Sequence, residues 1–232
     1  ASTQTKRGLL TSMKRYGGSG DLVSETKYSY QFPLVKIDTV FTLTGEVAKD
    51  VFYPRYNIEL SCVEDASFFG KTSVVNKKSS VFNSYGMETE TTFVTSEGNT
   101  IVDTYQYSGD MQDADNLVKD MRLFHNVNSL LSYERKAVTN GKETLIWKKR
   151  YNYYQPNFKN RALFKVANIE DWNPVKGWMS KISYVHDENG RILQRTDSSG
   201  VHTSYLWGYK GRHPLMAAKN TSFLQLAKAV TA

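Results

Sequence analysis

Four histidines and one cysteine are the residues of this sequence best suited to hold a metal or to attack a substrate. His125, His186, His202 and His213 form no His-Glu-x-x-His motif, the helical spacing that binds zinc. His186 and His202 flank the two turns of one predicted hairpin, so a histidine metal site there is an alternative to two ordinary strand residues. The single Cys62 excludes an internal disulfide and a Cys-rich zinc site, and we interpret it as a small buried apolar residue.

Other catalytic patterns fail at defined positions. Gly70-Lys71-Thr72 resembles the end of a phosphate-binding loop, but Asp65 stands where a glycine must let bare backbone wrap the phosphates. Asp187-Glu-Asn-Gly190 resembles part of a calcium loop, but Thr196 stands where a bidentate Glu is needed. No Gly-x-Ser-x-Gly nucleophile elbow is present. The sequence therefore predicts no catalytic residue, no cofactor, no metal site and no enzymatic activity, and the alternative is a carboxylate pair that meets only in the fold.

Aromatic residues are the remaining candidates for contact with a ligand. In Trp147-Lys-Lys-Arg-Tyr151-Asn-Tyr153, strand geometry places Trp147, Lys149, Tyr151 and Tyr153 on one face. We favour the interpretation that these aromatic rings lie in the core and that the opposite face of the strand is solvated. The alternatives are that the rings stack on a sugar or, after that, on RNA bases. The candidates for stacking on a ligand are Trp147, Trp172, Trp178 and Trp207.

Composition limits the class of protein. The chain has 232 residues, of which 40% are hydrophobic, enough for one large or two small domains. A net charge of +7 permits weak attraction to anionic partners, but no run of five or six basic residues occurs, which argues against a nucleic-acid partner. No apolar stretch approaches about 18 residues, so we expect no membrane span. The chain begins without Met, and we expect a processed chain or a fragment of a larger protein.

Long hairpins are the elements that must position these residues. An aromatic-x-aromatic strand end recurs a few residues after a turn glycine, at 28–30, 105–107, 151–153 and 205–207 after Gly20, Gly98, Gly141 and Gly200. The patterns predict strands over 10–16, 22–30, 71–82, 88–95, 100–107, 132–138, 142–154, 178–186, 191–196 and 201–209. They predict helices over 110–124, with Asp113 as its cap, and over 222–230. Residues 155–176 and part of 31–57 are predicted to be irregular. We expect a single β-rich repeat region over 1–232, and any domain boundary within 108–129.

The last hairpins carry a more specific pattern. Tyr184-Val-His-Asp187-Glu-Asn-Gly190-Arg191-Ile192 is followed by Asp197-Ser-Ser-Gly200 and then by Tyr205-Leu-Trp207. This resembles one YD repeat of the RHS family, in which two Asp-x-x-Gly turns lie between Tyr-x-Tyr pairs. His186 and Trp207 stand where the family usually has Tyr, and Gly208 departs from the Asp that would begin another repeat. The specific match covers about 178–223. The resemblance gives a structural role in the repeat to Tyr184, Asp187, Gly190, Arg191, Asp197, Gly200, Tyr205 and Trp207.

The resemblance implies a fold and a function. The fold is mainly β, with long antiparallel β-hairpins stacked into an extended sheet and one or two short helices. The function is that of a non-enzymatic structural or interaction module within a larger exported bacterial protein, at the cell surface or outside the cell. Its partners are other repeats of the same polypeptide or another protein. A surface carbohydrate-binding module that uses exposed aromatic residues is the alternative.

Overall fold

A computed structural model describes residues 8–32, 34–41, 47–54, 58–111, 115–156 and 163–231, without the side chains of 33–57 and 231. Within this part of the chain the fold is mainly β, as predicted: thirteen antiparallel strands form one sheet, and two more form a separate hairpin. Two short α-helices complete it. No helix in these ranges is long and apolar enough to cross a membrane.

The strands are β1 (Ser12–Tyr16), β2 (Leu22–Gln31), β3 (Leu34–Phe41), β4 (Val47–Pro54), β5 (Glu59–Phe69), β6 (Thr72–Phe82), β7 (Glu88–Val94), β8 (Thr100–Tyr107), β9 (Leu130–Thr139), β10 (Lys142–Tyr154), β11 (Lys165–Asn173), β12 (Gly177–His186), β13 (Ile192–Asp197), β14 (His202–Gly208) and β15 (His213–Lys219). The helices are α1 (Asn116–Leu123) and α2 (Phe223–Thr231), and a 3-10 helix spans Ser108–Asp110.

Strand order in the sheet follows chain order. The sequence of neighbours is β1-β2-β5-β6 and then every strand in turn to β15, while β3 and β4 pair with each other. Such a meander forms because a tight turn after each strand brings the next one alongside it. The predicted array of long hairpins is confirmed over most of its length.

One turn geometry recurs between these strands. In the turns 17–20, 83–86, 95–98, 187–190 and 197–200, the amide of the fourth residue donates to the carbonyl of the first. That fourth residue is always a glycine with φ between 73° and 84°, a conformation that costs other residues energy. The Asn140-Gly141 hairpin is different, because both residues have positive φ, as a two-residue turn requires.

Two predictions about the elements are wrong. The range 155–176 is not irregular throughout, because β11 occupies Lys165–Asn173 and pairs with both β10 and β12. The prediction for 31–57 concerned only part of that range, and another part pairs as the β3–β4 hairpin. Helix α1 begins at Asn116 and not at 110, because Asp115 caps it by accepting a 2.9 Å hydrogen bond from the Val118 amide. The predicted cap Asp113 lies outside the described residues.

The chain divides into two compact units. Unit 1 comprises 1–105 and 135–146, and unit 2 comprises 106–134 and 147–232. In unit 1 the carboxylate of Asp103 on β8 accepts two hydrogen bonds from the Arg135 guanidinium, at 2.7 and 2.8 Å. This bidentate pair ties two strands of the unit together through side chains.

Unit 2 contains the buried apolar cluster of the described residues. Val118, Met121 and Phe164 form it, and Tyr153 is among the half-buried residues that pack against it. Elsewhere in the unit, Leu226 of α2 is buried and α2 contacts β14. Most other apolar side chains that the structure describes are at least partly exposed, so strand-to-strand pairing carries much of the stability.

Candidate interaction site

The turn between β12 and β13 is closed by the Asp187 carboxylate. Its Oδ1 accepts hydrogen bonds from the backbone N–H groups of Asn189 and Arg191, both at 2.9 Å. Its Oδ2 accepts a 2.5 Å hydrogen bond from Nε of Arg191 and lies 2.5 Å from Nη2 of the same guanidinium, which makes an ion pair. The Gly190 amide donates to the Asp187 carbonyl at 2.9 Å. Asp187, Gly190 and Arg191 therefore form one hydrogen-bonded turn, which places three of the predicted repeat residues together.

The next turn repeats this pattern ten residues later. Oδ1 of Asp197 accepts from the N–H groups of Ser199 at 2.9 Å and Val201 at 3.1 Å. The Gly200 amide donates to the Asp197 carbonyl at 3.0 Å. The Ser199 hydroxyl donates to Asp197 at 2.5 Å, so it replaces the guanidinium of the first turn. Both Asp-x-x-Gly segments thus have the same backbone hydrogen bonds.

These hydrogen bonds also set the charge of the two carboxylates. Burial acts to raise the pKa of Asp187, but hydrogen bonds from Arg191 and Asn189 outweigh it and hold the pKa below its usual range. The hydrogen bond from the Ser199 hydroxyl is the largest cause that lowers the pKa of Asp197. Both groups are therefore ionised at neutral pH, the state that accepts N–H donors most strongly.

Arg191 and Trp207 connect the first aspartate turn with neighbouring parts of the chain. A Cβ placed on Gly211 would lie 1.3 Å from Nη1 of Arg191, so only a glycine leaves room for the guanidinium there. The indole Nε1 of Trp207 donates to the Ile192 carbonyl at 2.8 Å. Tyr205 lies on β14 opposite Ala217 of β15. The polar N–H group of the Trp207 ring is thus satisfied by a backbone carbonyl of the same chain.

Tyr184 and His186 lie on β12 beside the first turn. Their ring centroids are 6.0 Å apart, and the His186 ring is 5.7 Å from that of Tyr154. The His186 backbone N–H donates to the Tyr154 hydroxyl at 3.1 Å, and that hydroxyl lies 3.0 Å from Nδ1 of His186. We assign the hydroxyl hydrogen to the contact with Nδ1, so that the hydroxyl donates to the ring and accepts from the backbone. In this tautomer the neutral His186 ring carries its own hydrogen on Nε2.

The electrostatics of this cluster favour the neutral ring. Burial lowers the pKa of His186, and the nearby Lys165 ammonium acts in the same direction. Burial raises the pKa of Tyr154. The two side chains are thus held as a neutral hydrogen-bonded pair.

Two of the four candidate tryptophans form a pair. Trp172 and Trp178 lie directly opposite each other on β11 and β12, with ring centroids 5.4 Å apart and an interplanar angle of 71°. The guanidinium of Arg150 lies 4.4 Å from the centroid of the Trp178 ring and also pairs with Glu170. Trp172 is 36% exposed. One face of Trp178 is therefore covered by a cation, while Trp172 remains open to solvent.

The other two candidates lie apart from this pair in their contacts. Trp147 is 37% exposed, its ring meets that of Tyr133 edge-on at 5.2 Å, and Nζ of Lys149 lies 4.2 Å from its centroid. Trp207 uses its N–H within the chain, as described above. Stacking of any of the four on a ligand stays a prediction.

The histidines have separate partners. Nδ1 of His202 lies 2.9 Å from the Thr196 hydroxyl, whereas His186 contacts Tyr154. Among the described residues, no group of three or more His, Cys, Asp and Glu side chains is arranged to hold a metal ion. The two histidines are thus explained by hydrogen bonds within the sheet.

Two acidic residues line one cavity of unit 1. Glu59 and Glu88 line a space of about 600 Å³ together with Lys78. Glu59 is only 6% exposed, and its carboxylate accepts a 2.8 Å hydrogen bond from Nε2 of Gln31. These two residues are the candidates for a hydrolytic carboxylate pair in this cavity.

The sequence predicts a turn over 83–86, but the side-chain hydrogen bonds of Asn83 and the approach of Lys165 to His186 are not among the predictions. Asn83 closes the turn 83–86 as the two aspartates close theirs, because its Oδ1 accepts from the amides of Tyr85 and Met87 at 3.0 and 2.9 Å. The signal was present, since Asn-x-x-Gly matches Asp-x-x-Gly in its hydrogen-bonding capacity. The approach of Lys165 to His186 had no such signal, because it depends on how β11 pairs.

Comparisons with known proteins find only solved structures of low sequence identity and low TM-score. No protein-family model matches the chain, and neither does any curated protein. A Tc holotoxin pore of Photorhabdus luminescens with a mutated TccC3 is 11% identical, with a TM-score of 0.31 over 90% of this chain and 10% of that one. A TcdB2-TccC3-TEV crystal structure is 12% identical, with a TM-score of 0.31 over the same shares of the two chains.

A third solved structure is of a different kind. A porin-like protein from Bacteroides uniformis is 10% identical, with a TM-score of 0.20 over 89% of this chain and 86% of that one. The chain thus spans about a tenth of the length of the toxin structures. At these TM-scores the likenesses carry no argument about what this chain does.

Proposed function

We propose that this chain is a non-enzymatic structural and interaction module, one stretch of stacked YD-like hairpins within a larger protein exported by a bacterium. The observation that carries the proposal is the pair of aspartate turns at Asp187 and Asp197. They lie ten residues apart and have the same hydrogen bonds, on residues that resemble the YD repeat. A turn made by a carboxylate and a glycine fixes the register of two strands without contributing a reactive group.

Burial supports the same proposal. A sheet whose strands neighbour each other in chain order buries little apolar surface of its own, and only four apolar side chains that the structure describes are buried. Each hairpin is then stabilised by the strands on either side of it. Its partners are therefore further hairpins of the same polypeptide or another protein that covers the sheet, at the cell surface or outside the cell.

A turnover screen tests the non-enzymatic part. Purified protein is incubated with chromogenic glycosides, esters and phosphate esters, beside the variants Glu59→Gln and Glu88→Gln. We expect no turnover that depends on either carboxylate, so the two variants should not differ from the native protein. Turnover that both variants abolish, with their folding unchanged by circular dichroism, would overturn the proposal in favour of a carboxylate-pair hydrolase.

A surface carbohydrate-binding module is the second candidate, and the solvent-exposed Trp172 beside Trp178 favours it. An indole face is suited to stack on the apolar face of a sugar ring. Glycan arrays followed by calorimetric titration test this, with Trp172→Ala as the variant and Val175→Ala, an exposed loop residue, as the control. Lack of binding to every polysaccharide would remove this candidate and leave the first.

A further inference from the structure

A concave site of about 300 Å³ lies in unit 2, beside the first aspartate turn. Strands β10 to β13 contribute the side chains that matter to its chemistry, which are Tyr151, Lys165, Ile169, Tyr184, His186 and Ile192. The volume is at the small end of ligand sites, so it suits one compact ring.

The polar groups of this site are mainly hydrogen-bond donors. In the tautomer assigned above, Nδ1 of His186 accepts from Tyr154 and Nε2 carries the hydrogen. Lys165 supplies an ammonium group, which forms no ion pair within the part of the chain that the structure describes. Burial raises the pKa of Tyr151, so its phenol stays protonated. Among the described residues that line the site none is a carboxylate, and the nearest acidic influences are those of Asp187 on His186 and of Asp171 on Tyr151.

The lysine is held in place. A Cβ placed on Gly190 would lie 2.4 Å from Cε of Lys165 and 3.1 Å from Cδ1 of Leu163. The aliphatic stem of Lys165 therefore packs against the Gly190 backbone, and this packing restricts the conformations of the side chain. An ammonium on a stem that is already positioned loses less conformational freedom when it binds an anion.

The remaining lining is apolar. Ile169 and Ile192 contribute aliphatic surface, and Tyr151 and Tyr184 contribute rings. A site with donors and one fixed cation at one side and apolar surface elsewhere is complementary to an anion with an apolar face. The net charge of +7 on the whole chain favours the approach of such an anion.

We propose that this site binds a hexuronic acid, alone or as a residue of an acidic polysaccharide, with its carboxylate at Lys165 and Nε2 of His186 and its ring against Tyr184. The carboxylate supplies the acceptors that the donors lack, and one pyranose ring suits the volume. This site is separate in its residues from the tryptophan pair, so it does not depend on the second candidate function.

Titration of the whole chain by NMR tests the proposal, with D-glucuronate, D-glucose and acetate as the probes. We expect saturable binding of glucuronate with a Kd of about 1 mM or tighter, and at least about tenfold weaker binding of glucose and acetate. The resonance of the His186 Nε2–H group is expected to shift with glucuronate, which marks the site itself.

Three variants complete the test. Lys165→Met keeps the stem against Gly190 and removes the charge, and loss of a charged hydrogen bond should weaken glucuronate binding about tenfold or more. Lys165→Arg should restore most of the affinity, which separates the charge from any effect on folding. Lys176→Met removes an exposed charge of the same unit and should change nothing. Absence of saturable glucuronate binding, equal binding of glucose or acetate, or an unaffected Lys165→Met would each overturn the proposal.

Discussion

At the scale of single residues, the aspartate turns show how much one carboxylate does in this chain. Asp187 accepts from two backbone amides and one guanidinium, and Asp197 accepts from two amides and one hydroxyl. Such side chains replace backbone partners that a tight turn leaves unsatisfied. Removal of either carboxylate therefore leaves several donors without their acceptor.

Asp187→Ala is expected to lower the free energy of unfolding by about 1–3 kcal/mol, because two amides and Arg191 lose their acceptor. Asp187→Asn should cost less, since an amide oxygen still accepts the two backbone bonds. Urea denaturation measures both, and Glu188→Ala, at an exposed position of the same turn, is the control. An Asp187→Ala variant as stable as the control would show that the turn does not depend on its carboxylate.

The pH dependence of stability should report His186. Its pKa is below the ordinary 6.5 in the folded chain, so the unfolded chain takes up the proton first as the pH falls. The contribution of His186 to the free energy of unfolding is present above pH 6.5 and is lost as the pH falls below that value. We expect the loss of stability over this window to be smaller in His186→Gln, as measured by denaturation at a series of pH values.

The control for the pH series is His213→Gln, which removes an exposed histidine of unit 2. It should leave the pH profile unchanged. A profile for His186→Gln that follows the native one down to the acid limb would contradict the assignment. At still lower pH the lowered pKa values of Glu170 and Asp187 add their own loss of stability, because those carboxylates must then be protonated.

At the scale of the elements, the turns share one backbone conformation but differ in what surrounds them. Gly190 and Gly200 both have φ near 80°. A Cβ on Gly190 would meet Lys165 and Leu163, whereas a Cβ on Gly200 would meet no atom within 4 Å. The two positions therefore separate the cost of the backbone conformation from the cost of packing.

Gly200→Ala should destabilise the chain by about 1–2 kcal/mol through its left-handed backbone alone. Gly190→Ala should cost more, because Lys165 and Leu163 must also move. Thermal unfolding of the two variants measures the difference directly. Equal losses of stability would mean that the Lys165 and Leu163 side chains move away from residue 190 at no cost in free energy.

Helix α1 gives a second prediction at this scale. Met121 is fully buried in the cluster with Val118 and Phe164, whereas Leu123 two residues later is 71% exposed. Met121→Ala is expected to cost about 2–5 kcal/mol, as other deletions of buried large side chains do. Leu123→Ala, measured by the same chemical denaturation, should cost far less. A small loss for Met121→Ala would show that the cluster collapses around the gap.

The elements also show how far sequence reasoning reaches. Local signals were sufficient for the turns, because Gly with Asp or Asn determines the backbone conformation within four residues. They failed at β11, because Pro156 and Pro174 indicate an irregular connection over 155–176, whereas both lie outside the strand Lys165–Asn173. The Lys165–His186 approach and the Trp172–Trp178 pair could not be predicted, because both depend on the register of β11 with its neighbours.

At the scale of the whole molecule, the described sheet ends in two strands with one free edge each, β1 and β15. Leu215 and Met216 of β15 are both exposed, and as consecutive strand residues they point to opposite faces. Pro214 and the register shift opposite Leu206 and Trp207 interrupt backbone pairing at this edge, so its exposed apolar side chains are the groups suited to contact another chain. In an interaction module this edge would bind a partner, whereas in a protein that acts alone an exposed apolar edge promotes unwanted association.

Leu215→Lys is therefore expected to reduce concentration-dependent self-association without lowering the melting temperature by more than a few degrees. Sedimentation velocity over a range of protein concentrations measures the first quantity, and circular dichroism the second. Leu224→Lys, an equally exposed position on α2, is the control. If both variants associate as the native chain does, the edge of β15 is not where the chains meet.

The agreement between strand order and chain order has a consequence for mechanical behaviour. Each hairpin of the sheet borders the residues that precede and follow it, so a pull on one end of the chain loads one strand pair at a time. In an optical trap with handles at the two ends of the chain, extension should proceed as a series of small rips. The same order shortens the search during synthesis, since each strand of the thirteen-stranded sheet after β1 pairs with a strand that has left the ribosome before it.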